Sequence, residues 1–412
     1  MSGEVWYYVI PIILLASVLT HNGLLFVVSL ALALTLAISR LWNQYCLENV
    51  EYRRWFSQER AFFGEEIELV VEVVNRKVLP LAWLEAEDEI PRALKPLKGK
   101  VVASHKPDRS LLMNLLSLRW YERVRRRYRI RCDVRGYHSF GPAKLRSGDV
   151  FGFHSKESAL ADEDKLLIYP RVVPLSHLGL PPKDPFGDLK ARQWIFQDPL
   201  RTIGVREYVY GDSPRNIDWK ATARTQKLQV KLHEPTTTYQ LVVFLNLNTY
   251  GPFWWIHAVD PDALELAICT AASVANWAVG QAYQVGLYAN ATIQGTDKRV
   301  RLAPSRNPEQ LTHVLEALAM LLPFATTPFE TILQVESREL PYGCTLVLVT
   351  AVLGEEILAQ LQTLRRDGHR IAILLISDHA PQLRLEGIAT YRIGRERAWR
   401  DLRDLAVGAM PG

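Results

Sequence analysis

Tyr239–Leu247 reads YQLVVFLNL, in which the apolar run Leu241–Leu245 is followed by Asn246. A run of this length reads as a strand buried on both faces. Helices and further apolar strands alternate downstream of it. A helix is expected over Pro261–Ala278, a strand over Gln284–Ala289, a short strand in KRVRLAP and a helix over Pro308–Leu321. CTLVLVTAV is again a strand, Glu355–Arg366 a helix, RIAILLI a strand, and Arg395–Ala406 a final helix. Buried strands alternating with helices predict a mostly parallel sheet covered on both faces, a Rossmann-type three-layer α/β domain. Ligands of such sheets sit at the carboxyl ends of the strands, here at Asn246, Asn248 and Tyr250.

Upstream, the period changes. EEIELVVEVVN sets Ile67, Leu69, Val71 and Val73 against Glu66, Glu68 and Glu72. RRRYRIRCDVRG sets Tyr128, Ile130, Cys132 and Val134 against Arg127, Arg129, Arg131 and Asp133. Strict alternation with Gly and Pro at the turns predicts an all-β domain, a small β-sandwich. The arginine face reads either as a solvated strand face or as a grip for acidic lipid or an acidic partner.

The N-terminus carries two chargeless stretches, Val5–Thr20 and Leu24–Ser39, separated by His21-Asn22-Gly23. At 1.5 Å per residue the first spans about 24 Å, short of a hydrocarbon core of about 30 Å. Trp6, Tyr7 and Tyr8 at one end, and Trp42 and Tyr45 at the other, suit the same membrane interface. Glu4 stands where a signal peptide would be basic, and no small-x-small site comes after Thr20. The expectation is a transmembrane helical hairpin over residues 5–42, with a buried core hairpin as the alternative. Arg40, Arg53 and Arg54 lie beyond the second stretch and place the soluble body in the cytoplasm, on a multi-pass protein of the cell membrane.

The 412 residues suffice for two or three domains, and a net charge of +5 does not of itself imply nucleic acid. Cys46, Cys132, Cys269 and Cys344 are widely spaced, which argues against a disulfide framework or zinc site. The boundaries expected are 1–45 for the hairpin, 46–170 for the sandwich, 171–235 for a connector and 236–412 for the α/β domain. That connector holds the densest cluster of charge, Tyr210–Arg224, YGDSPRNIDWKATAR. Ser213-Pro214 or Asp218-Trp219 can open a short helix there. Lys220 and Arg224, four apart, share a helical face, and Trp219 is expected to pack beneath.

REYVYGDSPRNIDWKATARTQKLQVKLHE, from Arg206, resembles the signature of the DUF 58 family (domain of unknown function 58), membrane-tethered prokaryotic proteins. FFGEEIELVVEVVN, RGYHSFGPAKLRSGDVFGF and IYPR extend the resemblance over most of the chain. The matched signature residues include Arg206, Tyr208, Gly211, Asp212, Arg215, Ile217, Asp218, Trp219, Ala223 and Arg224. The resemblance implies a von Willebrand factor A-like α/β domain with a short antiparallel edge strand near Arg299–Leu302. It also implies a partner, a MoxR-type AAA+ ATPase, and no established reaction. A von Willebrand A domain that holds Mg²⁺ uses Asp-x-Ser-x-Ser and a later aspartate. Here Asn246, Asn248 and Tyr250 occupy the first pattern, and Thr350-Ala351 ends the later strand without an acid. No metal or other cofactor is therefore expected, since Mg²⁺ sites normally need a carboxylate.

No phosphate loop, GxGxxG, HExxH or GxSxG motif is present, and His233-Glu234 reads as structural. The chain is expected to be a non-enzymatic adaptor that binds a protein partner at the membrane. Arg206, Tyr208, Gly211, Asp212, Arg215, Asp218, Trp219, Lys220 and Arg224 would form its joint and docking edge. The alternative is an enzyme or binding protein for a small anion built on Asp212, Arg215, Asp218 and Arg224. An arginine near each aspartate in sequence would lower its pKa and make it a poor general acid.

Overall fold

The structure is a computed structural model. It describes residues 5–152, 154–175, 196–209, 217–236, 240–250, 259–296, 298–340, 344–378, 387–395, 399–402, 405 and 407–409. The chain divides into two compact units, residues 1–170 and 171–412.

The first unit opens with two apolar helices, α1 (Val5–Leu19) and α2 (Gly23–Tyr45). Asn22 caps α2, its side-chain oxygen accepting from the Leu24 and Leu25 amides at 3.1 and 3.3 Å. His21 takes positive φ in the turn before it. By length and composition α2 is apolar enough to cross a membrane. Its outer side chains are not covered by the rest of the chain: Leu24, Val27, Leu30, Leu34 and Leu41 are all more than half exposed. A water-soluble protein rarely shows so continuous an apolar surface. The side chains of Trp6, Tyr7 and Tyr8 lie outside the described residues.

Eleven strands come next: β1 (Val50–Phe56), β2 (Arg60–Ala61), β3 (Glu66–Asn75), β4 (Leu81–Pro91), β5 (Lys100–Ala103), β6 (Arg109–Leu118), β7 (Arg123–Arg131), β8 (Gly136–Phe140), β9 (Ala143–Gly148), β10 (Ser155–Leu160) and β11 (Asp164–Ile168). They form sheets of order β1-β3-β7, β10-β9-β4-β6-β5 and β2-β11-β8. Ile67, Leu69 and Val71 of β3 meet Ile90, Leu112, Ile130, Phe140 and Leu166 in one core. The alternation read from β3 holds on that face only. Glu72, expected in solvent, is buried. Arg125 donates to it from β7, and its carboxyl is held below the usual range by that bond. Arg54 is likewise interior, hydrogen-bonded to Asp88, to Asp164 at 2.8 Å and to the Phe140 carbonyl at 2.7 Å.

The second unit contains a two-stranded ribbon, β12 (Phe196–Glu207) and β13 (Gln229–Thr236), with the short helix α3 (Trp219–Thr225) between them in sequence. Beyond it lie β14 (Gln240–Leu245), α4 (Pro261–Gly280), β15 (Gln284–Thr292), β16 (Arg299–Ser305), α5 (Gln310–Ala319), α6 (Phe329–Glu336), β17 (Thr345–Thr350), α7 (Glu355–Arg366), β18 (Arg370–Ile376), β19 (Ala389–Ile393) and β20 (Val407–Ala409). One sheet runs β16-β15-β14-β17-β18-β19-β20, with its inner pairs parallel and its edge strands β16 and β20 antiparallel. Val242, Phe244, Leu346, Leu348, Ile371 and Ile373 pack beneath α6 and α7. Their alternating neighbours Val243, Leu245, Val347 and Leu374 are buried on the other face, where α4 covers the sheet. α4 also has the length and composition to cross a membrane, but most of it is buried in this core.

One expected element is absent among the described residues. Of the helix anticipated over Arg395–Ala406, the described residues show a 3-10 turn, Trp399–Asp401, and β20 begins at Val407. Two tertiary contacts account for it. Arg171 donates to the carbonyls of Arg400 and Leu402, and Trp399 Nε1 donates to Asp262 at 3.0 Å. The Arg171 bonds take two backbone carbonyls that a helix would have used internally, and the Trp399 bond ties that side chain to α4. Helix α6 is not anticipated by the hydrophobic pattern.

Candidate functional site

Two places in the second unit gather the residues singled out by sequence. The first is the ribbon that carries α3. Asp218 caps the helix: its Oδ1 accepts from the Lys220 and Ala221 amides, each at 3.0 Å. These bonds, led by that from Ala221, hold its pKa below the ordinary aspartate value, with Lys231 and Lys220 adding to the effect. The expected lowering is therefore present, but backbone amides cause it rather than an arginine. A carboxylate spent on a helix N-terminus, and kept ionised, does not serve as a general acid.

The C-terminal end is closed by Gln226 at φ 53°, whose amide donates to the Thr222 carbonyl. Thr222 Oγ1 accepts from the Gln229 amide at 3.0 Å, and the Asp218 amide donates to the Gln229 carbonyl at 2.9 Å. Ile217 bridges Val230, and the Tyr208 amide donates to the Leu228 carbonyl at 2.9 Å. Arg206 pairs in register with Val230. The backbone of α3 is thus pinned to the ribbon at both ends.

Its side chains point elsewhere. Trp219, expected to pack beneath the segment, is 69% exposed. The reason is the cap: Asp218 fixes the first helical turn, and Trp219 stands at its outer N1 position. Lys220 and Arg224 are exposed and form no ion pair with the described residues. Val205, Val209 and Leu228 of the flanking ribbon are also largely exposed. The result is an indole and two cations raised on a backbone that is itself held still. Gly211, Asp212, Arg215 and the Ser213-Pro214 pair lie outside the described residues, as do the side chains of His233 and Glu234.

The second place is the carboxyl end of the sheet. Asn246, Asn290 and Thr350, which lie just past or within the ends of β14, β15 and β17, are buried side by side. Asn246 Nδ2 donates to Thr350 Oγ1 at 3.0 Å, while Asn246 Oδ1 accepts from Asn290 Nδ2 and from the Asn248 amide, both at 3.1 Å. Thr350 Oγ1 donates onward to the Val352 carbonyl at 2.6 Å, and Asn290 Oδ1 accepts from the Leu247 amide at 2.8 Å. Sequence reasoning did not find Asn290; only the parallel pairing of β14 with β15 brings it beside Asn246. The neutral oxygens a cation would need are already taken up by one another. Among the described residues no group of three or more His, Cys, Asp or Glu is placed to hold a metal. The donor set does not fit Mg²⁺.

Comparison with known proteins agrees with the residues around these sites. Residues 204–390 match the model of the protein of unknown function DUF58. The uncharacterized protein YeaD of Bacillus subtilis is 22% identical over 342 residues, 82% of this chain and 79% of that protein. Among solved structures, a cohesin module from Clostridium perfringens aligns over 29% of this chain and 95% of that module, at 11% identity and a TM-score of 0.20. A beta-glucosidase from Listeria innocua aligns over 29% of this chain but only 16% of the enzyme, at 10% identity and a TM-score of 0.18. At those scores neither structure bears on the fold or activity of this chain. The match over residues 204–390 takes in α3, its ribbon strand β13 and the Asn246 cluster, so it is this part of the chain that is similar to the DUF58 family.

Proposed function

We propose that the chain is a membrane-anchored adaptor that binds a protein partner through the exposed face of α3. One observation carries the reading. Trp219 is 69% exposed on a helix whose backbone is fixed at both ends, with Lys220 and Arg224 beside it. A large exposed aromatic on a pre-ordered backbone loses little entropy on docking, and Trp and Arg dominate the energetics of protein interfaces. The two cations select an acidic partner surface and speed encounter with it.

In this reading α1 and α2 form a transmembrane hairpin, and Arg40, Arg53 and Arg54 keep the body in the cytoplasm. The first unit's β region is read as a sandwich, and the seven-stranded sheet as a von Willebrand A-like domain without metal. The support for the latter is its strand order and the antiparallel edge strand β16. The partner expected from the family resemblance is a MoxR-type AAA+ ATPase, engaged in assembly or maturation of a membrane or envelope complex. Replacing Trp219 with a photo-crosslinking phenylalanine analogue in native membranes tests the site directly. Adducts to an AAA+ ATPase are expected at position 219. Failure to form any adduct there, with crosslinks obtained from other positions, would remove α3 as the docking edge.

A further inference from the structure

Within the first unit, the β region is joined to α2 by more than the chain. Lys77 Nζ donates to the carbonyls of Tyr45, Cys46 and Glu48, closing the C-terminus of the helix. Cys46 is buried in the β core with Val73, Leu81 and Leu84, and Trp42 packs against the same cluster. Lys156 of β10 donates to the Gln44 carbonyl at 3.1 Å. One turn of chain away, Asp149 Oδ2 accepts from the Ser39 hydroxyl at 2.6 Å, and His154 Nδ1 lies 3.2 Å from the same hydroxyl.

These contacts give a direction. Lys156 meets the helix at Gln44, and Asp149 and His154 meet it at Ser39, five residues or about 7.5 Å further back along the axis. The turn between β9 and β10 therefore runs back along α2, against the direction in which the chain leaves it. Ser39 is the last residue of the chargeless stretch Leu24–Ser39, and Arg40 is the first charge after it. The tip of that turn carries Val150, 59% exposed, and Phe151, 58% exposed. A sixteen-residue chargeless stretch covers only about 24 Å, less than a hydrocarbon core of about 30 Å. Ser39, the last residue before Arg40, therefore marks the level of the core boundary on this side, and the turn sits at that level.

A second turn lies at the same end of the unit. The Tyr121 amide donates to the Lys77 carbonyl, and Lys77 is the residue that closes α2. This turn, between β6 and β7, presents Trp120 and Tyr121 at 66% and 67% exposure. Indole and phenol rings favour the depth at which headgroups meet acyl chains.

We propose that the α2-proximal end of the β unit is a lipid-binding face: Val150 and Phe151 enter the bilayer beside α2, and Trp120 and Tyr121 lie at headgroup level. The inference rests on α2 crossing the membrane. It also fixes how the unit stands. The β3–β7 pair extends away from this end, since Val74 and Arg123 pair near it and Glu66 and Arg131 pair at the other. Arg127, Arg129 and Arg131 consequently lead away from the bilayer, and the lipid-gripping role considered for that arginine face is not theirs.

The test uses the full chain in phosphatidylethanolamine–phosphatidylglycerol vesicles. All four native cysteines are buried, so a single introduced cysteine is labelled selectively with an environment-sensitive fluorophore. Phe151→Cys, Val150→Cys and Trp120→Cys report the face. Leu34→Cys reports the middle of α2, and Val102→Cys reports β5, distant from the face. Expected are blue-shifted emission at positions 151 and 150, lost to a shallow nitroxide lipid, weaker quenching at 120, and none at 102. Water-like emission at both 150 and 151, with position 34 quenched by a deep nitroxide lipid, would overturn the inference and leave the membrane helix standing. Blue-shifted emission without lipid quenching would assign the turn to a protein contact and equally overturn it. Loss of quenching at position 34 would remove the membrane helix, and the inference with it.

Discussion

Asn246 and Thr350, 104 residues apart in sequence, are joined by a hydrogen bond of 3.0 Å between buried side chains. In the strand-end crevice where an open α/β sheet offers a ligand site, this pair and Asn290 satisfy one another instead. Mg²⁺ should therefore leave the melting temperature of the chain unchanged, whether added or removed with a chelator. A rise of several degrees on addition of Mg²⁺ would contradict the closed network. Asn246→Ala strands the Asn290 amide in the core, and a cost of about 3 kcal/mol is expected in denaturant unfolding.

Arg54 and Asp88 form a buried ion pair, with Tyr52 donating to the same carboxylate at 2.8 Å. Removing one member of such a pair leaves the other uncompensated. Asp88→Ala should destabilise the protein by about 3–5 kcal/mol. Arg129→Ala, on the outward face of β7, should cost less than about 0.5 kcal/mol. Unfolding curves of the two variants, measured in the same detergent, check the contrast.

Burial pushes the imidazoles of His138 and His369 below their ordinary pKa, and His369 Nδ1 is buried with no hydrogen-bond partner among the described residues. A lowered folded pKa means that the unfolded chain binds more protons as the pH falls through about 6.5. Stability is then intact above that value and declines as the pH approaches the folded pKa values. Melting temperature measured from pH 7.5 to pH 5 should show this decline. His369→Leu should flatten part of it.

Much of this architecture is legible in the sequence because burial leaves a periodic trace. Helix α7 and strand β18 begin and end where the hydrophobic pattern changes, at Glu355, Arg366, Arg370 and Ile376. The features that are not legible depend on partners distant in the chain. Glu72 reads as a solvated residue until Arg125 of β7 covers it, and Asn290 has no local mark at all. The C-terminal segment reads as helical by pattern, whereas its described residues Trp399–Asp401 form a 3-10 turn bonded to Arg171 and Asp262. At α3 the cap at Asp218 is legible and the position of Trp219 is not. A tryptophan in a charged segment suggests burial, whereas here the first helical turn turns it outward.

The central claim, that α3 is the docking edge, is tested most directly by purifying the tagged chain from its native membranes. Wild type should be compared with Trp219→Ala and with the Lys220→Glu, Arg224→Glu double variant. Trp219, Lys220 and Arg224 are all exposed, so each variant should keep the wild-type melting temperature. The account predicts that a MoxR-type AAA+ ATPase copurifies with the wild type and is depleted at least tenfold by either variant, a loss of about 1.4 kcal/mol or more. An equal yield of the ATPase from folded variants would contradict α3 as the docking edge. Absence of the ATPase from the wild-type preparation would contradict the partner.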